Sequence, residues 1–214
     1  MTTFLFDLDG TLFDTAPDIA DALDLTLTEL GLPAAGRERA ISWIGGGARV
    51  LLKRALPAAG ADDADPDDVM PIFMRHYGTT NARTAMPYPG VDDTLSVLAG
   101  QGHRLGCVTN KPALFAHQIL EASQLLDRFG VLIGGDTLIE RKPHPLPLTT
   151  AISALEATVD ETWMVGDSLT DMDAARAAGV RSAWVPYGYH RDTAQDVLAP
   201  TVALQSFAEI LDLA

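Results

Sequence analysis

The stretch TFLFDLDGTLFD, Thr3 to Asp14, decides the fold. Phe4, Leu5 and Phe6 form an apolar run without polar alternation, the pattern of a strand buried on both faces, as in parallel sheets covered by helices. Two carboxylates one residue apart, Asp7 and Asp9, stand where that strand ends, and Gly10 follows them. In open α/β sheets the ligand crevice lies just beyond the carboxyl ends of the strands, so both acids fall where chemistry is done.

Outward from this stretch, similar apolar runs recur at RLGCVT (104–109), VLIGG (131–135), TWMVGD (162–167) and SAWVPY (182–187), with a short last one near Val202. Helical patterns separate them at about 112–123, 145–157, 170–179 and 191–198. Strand and helix in alternation imply an α/β fold, a Rossmann-like parallel sheet wrapped by crossover helices. Residues 15–87 interrupt the alternation. Ile19, Leu23, Leu27 and Leu30 share one face of a helix capped by Asp14 or Thr15, with Pro17 in its first turn and Gly31 at its end. Further helices are expected at Arg37–Ile44, at Ala48–Leu56 and from near Pro66, where Pro71 should kink the helix or delay its start. The aspartates of ADDADPDD read as a solvated turn and helix N-terminus. The expected organisation is a core of residues 1–14 and 88–214 with a four-helix lid, 15–87, inserted after the first strand and joined by two hinges.

A chain of 214 residues with 47% hydrophobic content can bury one substantial core with a modest second one. Its formal charge of −14 argues against nucleic-acid and anionic-membrane partners, which need a basic face. Asp7 cuts the first apolar run too short for a signal peptide, so a cytoplasmic setting is expected. The single Cys107 lies in a strand pattern and reads as packing. Trp43, Trp163 and Trp184 read likewise, with Trp43 the one of the three best placed to border the substrate. Oligomeric state is not legible.

If the strands are parallel, their tips share one edge. Asp7, Asp9, Thr109, Asn110, Lys142, Asp167 and Asp171 then converge there. Carboxylate and carbonyl oxygens around open water positions suit Mg²⁺, which lets a phosphate dianion approach an acidic pocket. One carboxylate can attack phosphorus while a second, two residues on, protonates the leaving alkoxide and later activates water. Gly10 allows the sharp turn that exposes amides to phosphate oxygens.

DLDGTLFD, TNKP, RKPHP and GDSLTDMDAARAAG, in this order and with a helical insert after the first, resemble the four motifs of the haloacid dehalogenase superfamily of phosphohydrolases. The resemblance implies that Asp7 is the nucleophile and Asp9 the general acid/base. It implies that the Asp7 and Asp167 carboxylates and the Asp9 main-chain carbonyl hold Mg²⁺, with Asp171 orienting its water shell. Thr109 and Lys142 would bind the transferring phosphoryl group, and Asn110 and Gly10 would border the substrate.

Substrate choice must come from the lid, since phosphoryl chemistry is shared. Three glycines open the helix in ISWIGGGARVLLKRAL (41–56), so a small carboxylate can sit at its N-terminus near Gly46, with Arg49 assisting. This stretch, VLIGGD and YGYH (187–190) together resemble the bacterial phosphoglycolate phosphatase group, which implies 2-phosphoglycolate as substrate. A phosphosugar mutase shares motifs and lid but returns the phosphoryl group to sugar. A dehalogenase needs neither Mg²⁺ nor the second acid, and a receiver-type phospho-accepting module lacks the lid.

Overall fold

The structure, a computed structural model, describes residues 1–189 and 193–214. In chain order the elements are β1 (Thr3–Phe6), β2 (Phe13–Asp14), α1 (Ala16–Glu29), α2 (Arg37–Ile41), α3 (Ala48–Ala58), α4 (Pro66–Thr80), β3 (Met86–Pro87), α5 (Val91–Gly100), β4 (Arg104–Val108), α6 (Ala113–Ala122), β5 (Val131–Ile133), α7 (Leu146–Ala154), β6 (Thr162–Gly166), α8 (Leu169–Ala178), β7 (Arg181–Trp184), α9 (Gln195–Leu198) and β8 (Val202–Ala203).

Six strands form one parallel sheet in the order β5-β4-β1-β6-β7-β8. β1 is central, and its side chains alternate between faces as the period of a strand requires. Phe4 and Phe6 pack into a core with Leu95, Leu98, Trp163 and Phe207, while Leu5 enters another with Val108, Leu148, Ile152 and Met164. With both faces covered, the acids after Phe6 are delivered to the sheet's carboxyl edge.

Between β2 and β3, which pair antiparallel, the chain forms α1 to α4. These helices bury a separate apolar cluster that includes Leu23, Leu27, Leu52, Leu56 and Phe73. Thr15 sits at the N-cap of α1 but makes no side-chain cap bond; Asp14 Oδ1 instead accepts from the Ala16 amide at 3.2 Å. The second expected helix stops at Ile41, short of Ile44, where the chain turns toward the glycine run. α4 starts at Pro66 without delay, because Asp65 caps it by accepting from the Asp67 amide at 2.9 Å; Pro71 lies inside the helix. α5 has no counterpart in the sequence reading. Val91, Leu95 and Leu98 form its buried stripe, but its N-cap is Gly90 at φ 82°, which gives none of the usual polar start signals. The helix expected over 191–198 is seen as Gln195–Leu198, and residues 190–192 lie outside the described residues. Among the described residues no helix is long and apolar enough to cross a membrane.

Candidate active site

Parallel strands bring their tips together, and the tips carry the predicted set. Asp7 and Asp9 follow β1, Thr109 to Lys111 follow β4, Lys142 lies beyond β5, and Asp167 and Asp171 follow β6. Lys142 Nζ donates to Asp171 Oδ1 at 2.7 Å and lies 2.9 Å from Asp7 Oδ1, with all three residues buried. Burial disfavours the ammonium, but the Asp171 and Asp7 carboxylates outweigh it and hold Lys142 above the usual lysine range. Asp7 is pushed up to about 6, chiefly by burial, with Lys142 pulling the other way and Asp171 and Asp9 adding to the rise.

Asp171 serves two elements at once. Its Oδ1 accepts from Lys142, while its Oδ2 accepts from the Ser168 amide at 3.1 Å and hydroxyl at 2.6 Å, closing a capping box at the start of α8. Asp167 is placed from the other side: its Oδ2 accepts from the Tyr189 amide at 2.7 Å, and its carbonyl accepts from Trp184 Nε1 at 3.0 Å. Glycines make room for it. A Cβ on Gly10, whose φ is 84°, would lie 2.6 Å from Asp167 Oδ2, and one on Gly188 would lie 2.2 Å from Asp167 Cβ. Gly10 thus serves close approach rather than anion capture, since its own amide donates to the Phe13 carbonyl at 2.9 Å.

Ligand oxygens of Asp7, Asp167 and Asp171 lie within 4.8 Å of one another. Such a buried, all-oxygen set has the chemistry of a hard divalent cation site. Both oxygens of Asp171 and both of Asp167 also accept hydrogen bonds, Asp167 Oδ1 from the Thr11 hydroxyl at 3.4 Å and Oδ2 from the Tyr189 amide.

Asp9 faces the lid. Its Oδ1 accepts from Thr15 Oγ1 at 2.6 Å and from Lys111 Nζ at 2.6 Å. Lys111, absent from the residues singled out in the sequence, has a side chain only 2% exposed and lies 4.9 Å from the centroid of the Tyr77 ring on α4. A small pocket of about 50 Å³ spans the junction, with Asp7, Asp9, Thr109, Asn110 and Lys111 below. Ile19, Ile44, Gly47, Leu51, Phe73 and Tyr77 line it from above. The Asn110 amide nitrogen donates to the Lys142 carbonyl at 2.9 Å, which ties two strand tips together.

A family model described as haloacid dehalogenase-like hydrolase matches residues 4–185. The chain belongs to that family. This hydrolase is 41% identical to a phosphoglycolate phosphatase from Escherichia coli strain K12, over 96% of this chain and 89% of that one. It is also 41% identical to a phosphoglycolate phosphatase from Pseudomonas putida, over 97% of this chain and 77% of that one. It superposes on the crystal structure of a predicted phosphoglycolate phosphatase from Haemophilus somnus 129PT with a TM-score of 0.91 and 34% identity, covering 100% and 97% of the two chains.

Within this haloacid dehalogenase-like hydrolase, two residues of the helical insert lie elsewhere than expected. Arg49 turns outward into a bidentate pair with Asp67, at 2.8 and 2.9 Å, and is no part of the pocket. Gly46 faces Val50 and lines a separate open groove with Arg54 and Arg141, while its neighbours Gly45 and Gly47 line the pocket. Trp43 packs against the core of the helical insert, in line with its reading as a packing residue, and its neighbour Ile44 lines the pocket. The tyrosines of YGYH hold the chain at the start of the helical insert: Tyr189 Oη accepts from the Thr15 and Ala16 amides at 2.6 and 2.8 Å, and Tyr187 Oη donates to the Thr11 carbonyl at 2.8 Å. His190 lies outside the described residues.

Proposed function

We propose that this hydrolase converts 2-phosphoglycolate and water to glycolate and phosphate. The observation that carries the reading is the near-full-length similarity to two phosphoglycolate phosphatases in a chain whose strand tips assemble Asp7, Asp9 and Lys142 beneath a small lid pocket. The pocket's size favours a short phosphate monoester.

In this reading an Asp7 oxygen attacks phosphorus and the bond from phosphorus to the glycolate oxygen breaks. Asp9 protonates the leaving oxygen. Asp9 then takes a proton from water, whose oxygen attacks the aspartyl-phosphate, freeing phosphate and restoring Asp7. Lys142 offsets the charge on Asp7, and Thr109 donates to the transferring group. Mg²⁺ would be held by Asp7 and Asp167 with the Asp9 carbonyl, and when bound it neutralises phosphoryl charge. Residues 15–87 act as the cap that closes over this edge, with hinges at Thr15 and Met86, and exclude bulk water during both steps.

A panel of small phosphate monoesters, assayed for phosphate release with and without Mg²⁺, tests the proposal. The highest kcat/KM is expected for 2-phosphoglycolate. Asp7→Asn should abolish turnover, and Asp9→Asn should cost about 10²–10⁴-fold, the usual range of general acid/base catalysis. Phosphoryl transfer to a sugar without phosphate release would instead indicate a mutase, and full activity in chelator would refute the metal assignment.

A further inference from the structure

We propose that Lys111 recognises the substrate's second anionic group, the carboxylate at the end remote from phosphorus, with the Tyr77 hydroxyl as its companion donor. This rests on the reading of a carboxylate-bearing phosphate substrate. Among the described residues lining the pocket, Lys111 is the cation; Lys142 lies outside it, held between Asp7 and Asp171 at the phosphoryl end. Lys111 comes from the same sheet edge but faces the lid, where its ammonium lies between Asp9 and the Tyr77 ring. An ammonium carries three donors, and Asp9 takes one of them.

Tyr77 supplies the second, independent observation. It is 3% exposed, it lines the pocket, and its Oη is a buried polar atom without a hydrogen-bond partner among the described residues. Burial holds its pKa well above the ordinary phenol value, so it remains a donor. A buried unmade hydrogen bond costs roughly 1–3 kcal/mol, which a ligand that accepts it returns. Other lid residues at the pocket, Ile19, Ile44, Leu51 and Phe73, offer a carboxylate nothing. Beside them, the first turn of α3 has no side-chain cap on its amides, and its positive end adds to the same field. Arg49 is excluded by its outward pair with Asp67.

The test compares kcat/KM for 2-phosphoglycolate and for ethyl phosphate, which has the same length but a methyl group in place of the carboxylate. Wild-type protein, Lys111→Met and Tyr77→Phe are measured, with circular dichroism and melting temperature as checks on folding. Because Lys111 also touches Asp9, both rates are expected to fall in Lys111→Met, and the ratio between substrates is the readout. That ratio should drop by about 100-fold in Lys111→Met, as expected for a buried charge-assisted contact, and by about 10-fold in Tyr77→Phe. Equal losses on both substrates would overturn the inference and leave Lys111 as a partner of Asp9 alone. If Lys111→Met does not fold, an unchanged ratio in Tyr77→Phe overturns it. A wild-type enzyme indifferent between the two substrates would refute the substrate reading itself, a result distinct from either.

Discussion

At Asp7, burial sets protonation against stability. Its carboxyl is raised to about 6 from an ordinary 3.8, mainly by burial, so the folded state holds its proton more tightly than the unfolded chain does. With metal chelated, its contribution to stability is fully present below pH 3.8 and is lost as pH rises through about 6. Asp7→Asn removes this titration. The fall in melting temperature between pH 4 and pH 7.5, measured in chelator, should be smaller in the variant than in wild type; an equal fall would contradict the assignment. Cys107 gives a second residue-scale expectation. Burial pushes its thiol far above the usual range, so iodoacetamide at pH 8 should leave it unmodified in the folded protein and label it after denaturation. The acids were legible because they follow apolar strands, and parallel topology turns that position into a location, whereas Lys142 was legible through the resemblance carried by RKPHP. Lys111 was not, because a lysine after a strand ordinarily reads as solvated, and only α4 folding over it makes it a buried cation. Nor could three successive glycines reveal that Gly45 and Gly47, rather than Gly46, face the pocket.

Among the elements, the joint between α1 and the returning chain deserves an energetic account. Asp18, in the first turn of α1 and 1% exposed, accepts from the amides of Arg83, Thr84 and Ala85 at 3.1, 3.0 and 3.2 Å and from the Thr84 hydroxyl at 2.6 Å. One buried carboxylate thereby satisfies three successive backbone donors just before β3 and ties the exit of the helical insert to its entrance. Its loss leaves the Thr84 and Ala85 amides without this acceptor, while the Arg83 amide still reaches the Thr80 carbonyl at 3.2 Å. Asp18→Ala should lower stability by about 2–4 kcal/mol, seen as a reduced urea midpoint, with Asp18→Asn retaining part of it because one oxygen still accepts. A change below about 0.5 kcal/mol, the level of ordinary surface substitutions, would show the clasp to be dispensable. No periodicity announces such a contact, since Asp18 reads in sequence only as a favourable charge near a helix N-terminus. The same blindness explains β2 and β3, each of two residues, and α5, whose apolar stripe was present but whose start carried no polar cap.

For the whole molecule, the alternation of strands and helices was legible because burial on both faces of a parallel sheet leaves continuous apolar runs, and the helical interruption was legible because such runs stop after Asp14. What sequence pattern does not convey is how the helices of the insert meet the sheet. Here they gather a core of their own, touching α6 through Phe115, whose ring packs edge-on against Tyr77 at 4.7 Å and whose carbonyl accepts from Asn81 Nδ2 at 3.1 Å. If the insert moves as a cap, its core should be a separate cooperative unit, opening at lower free energy than the sheet. Leu52 is the place to ask: it is fully buried among the insert's helices and does not line the pocket. Leu52→Ala removes buried methyl groups and leaves a cavity, a change that typically costs about 2–5 kcal/mol. Hydrogen exchange should then show protection falling in α1, α3 and α4 while the amides of β1, β4 and β6 keep theirs, because the sheet's own apolar faces are untouched. A uniform loss across helices and strands would mean that insert and sheet unfold together, and closure would then have to come from bending at Thr15 and Met86 within one cooperative fold rather than from an independently stable cap.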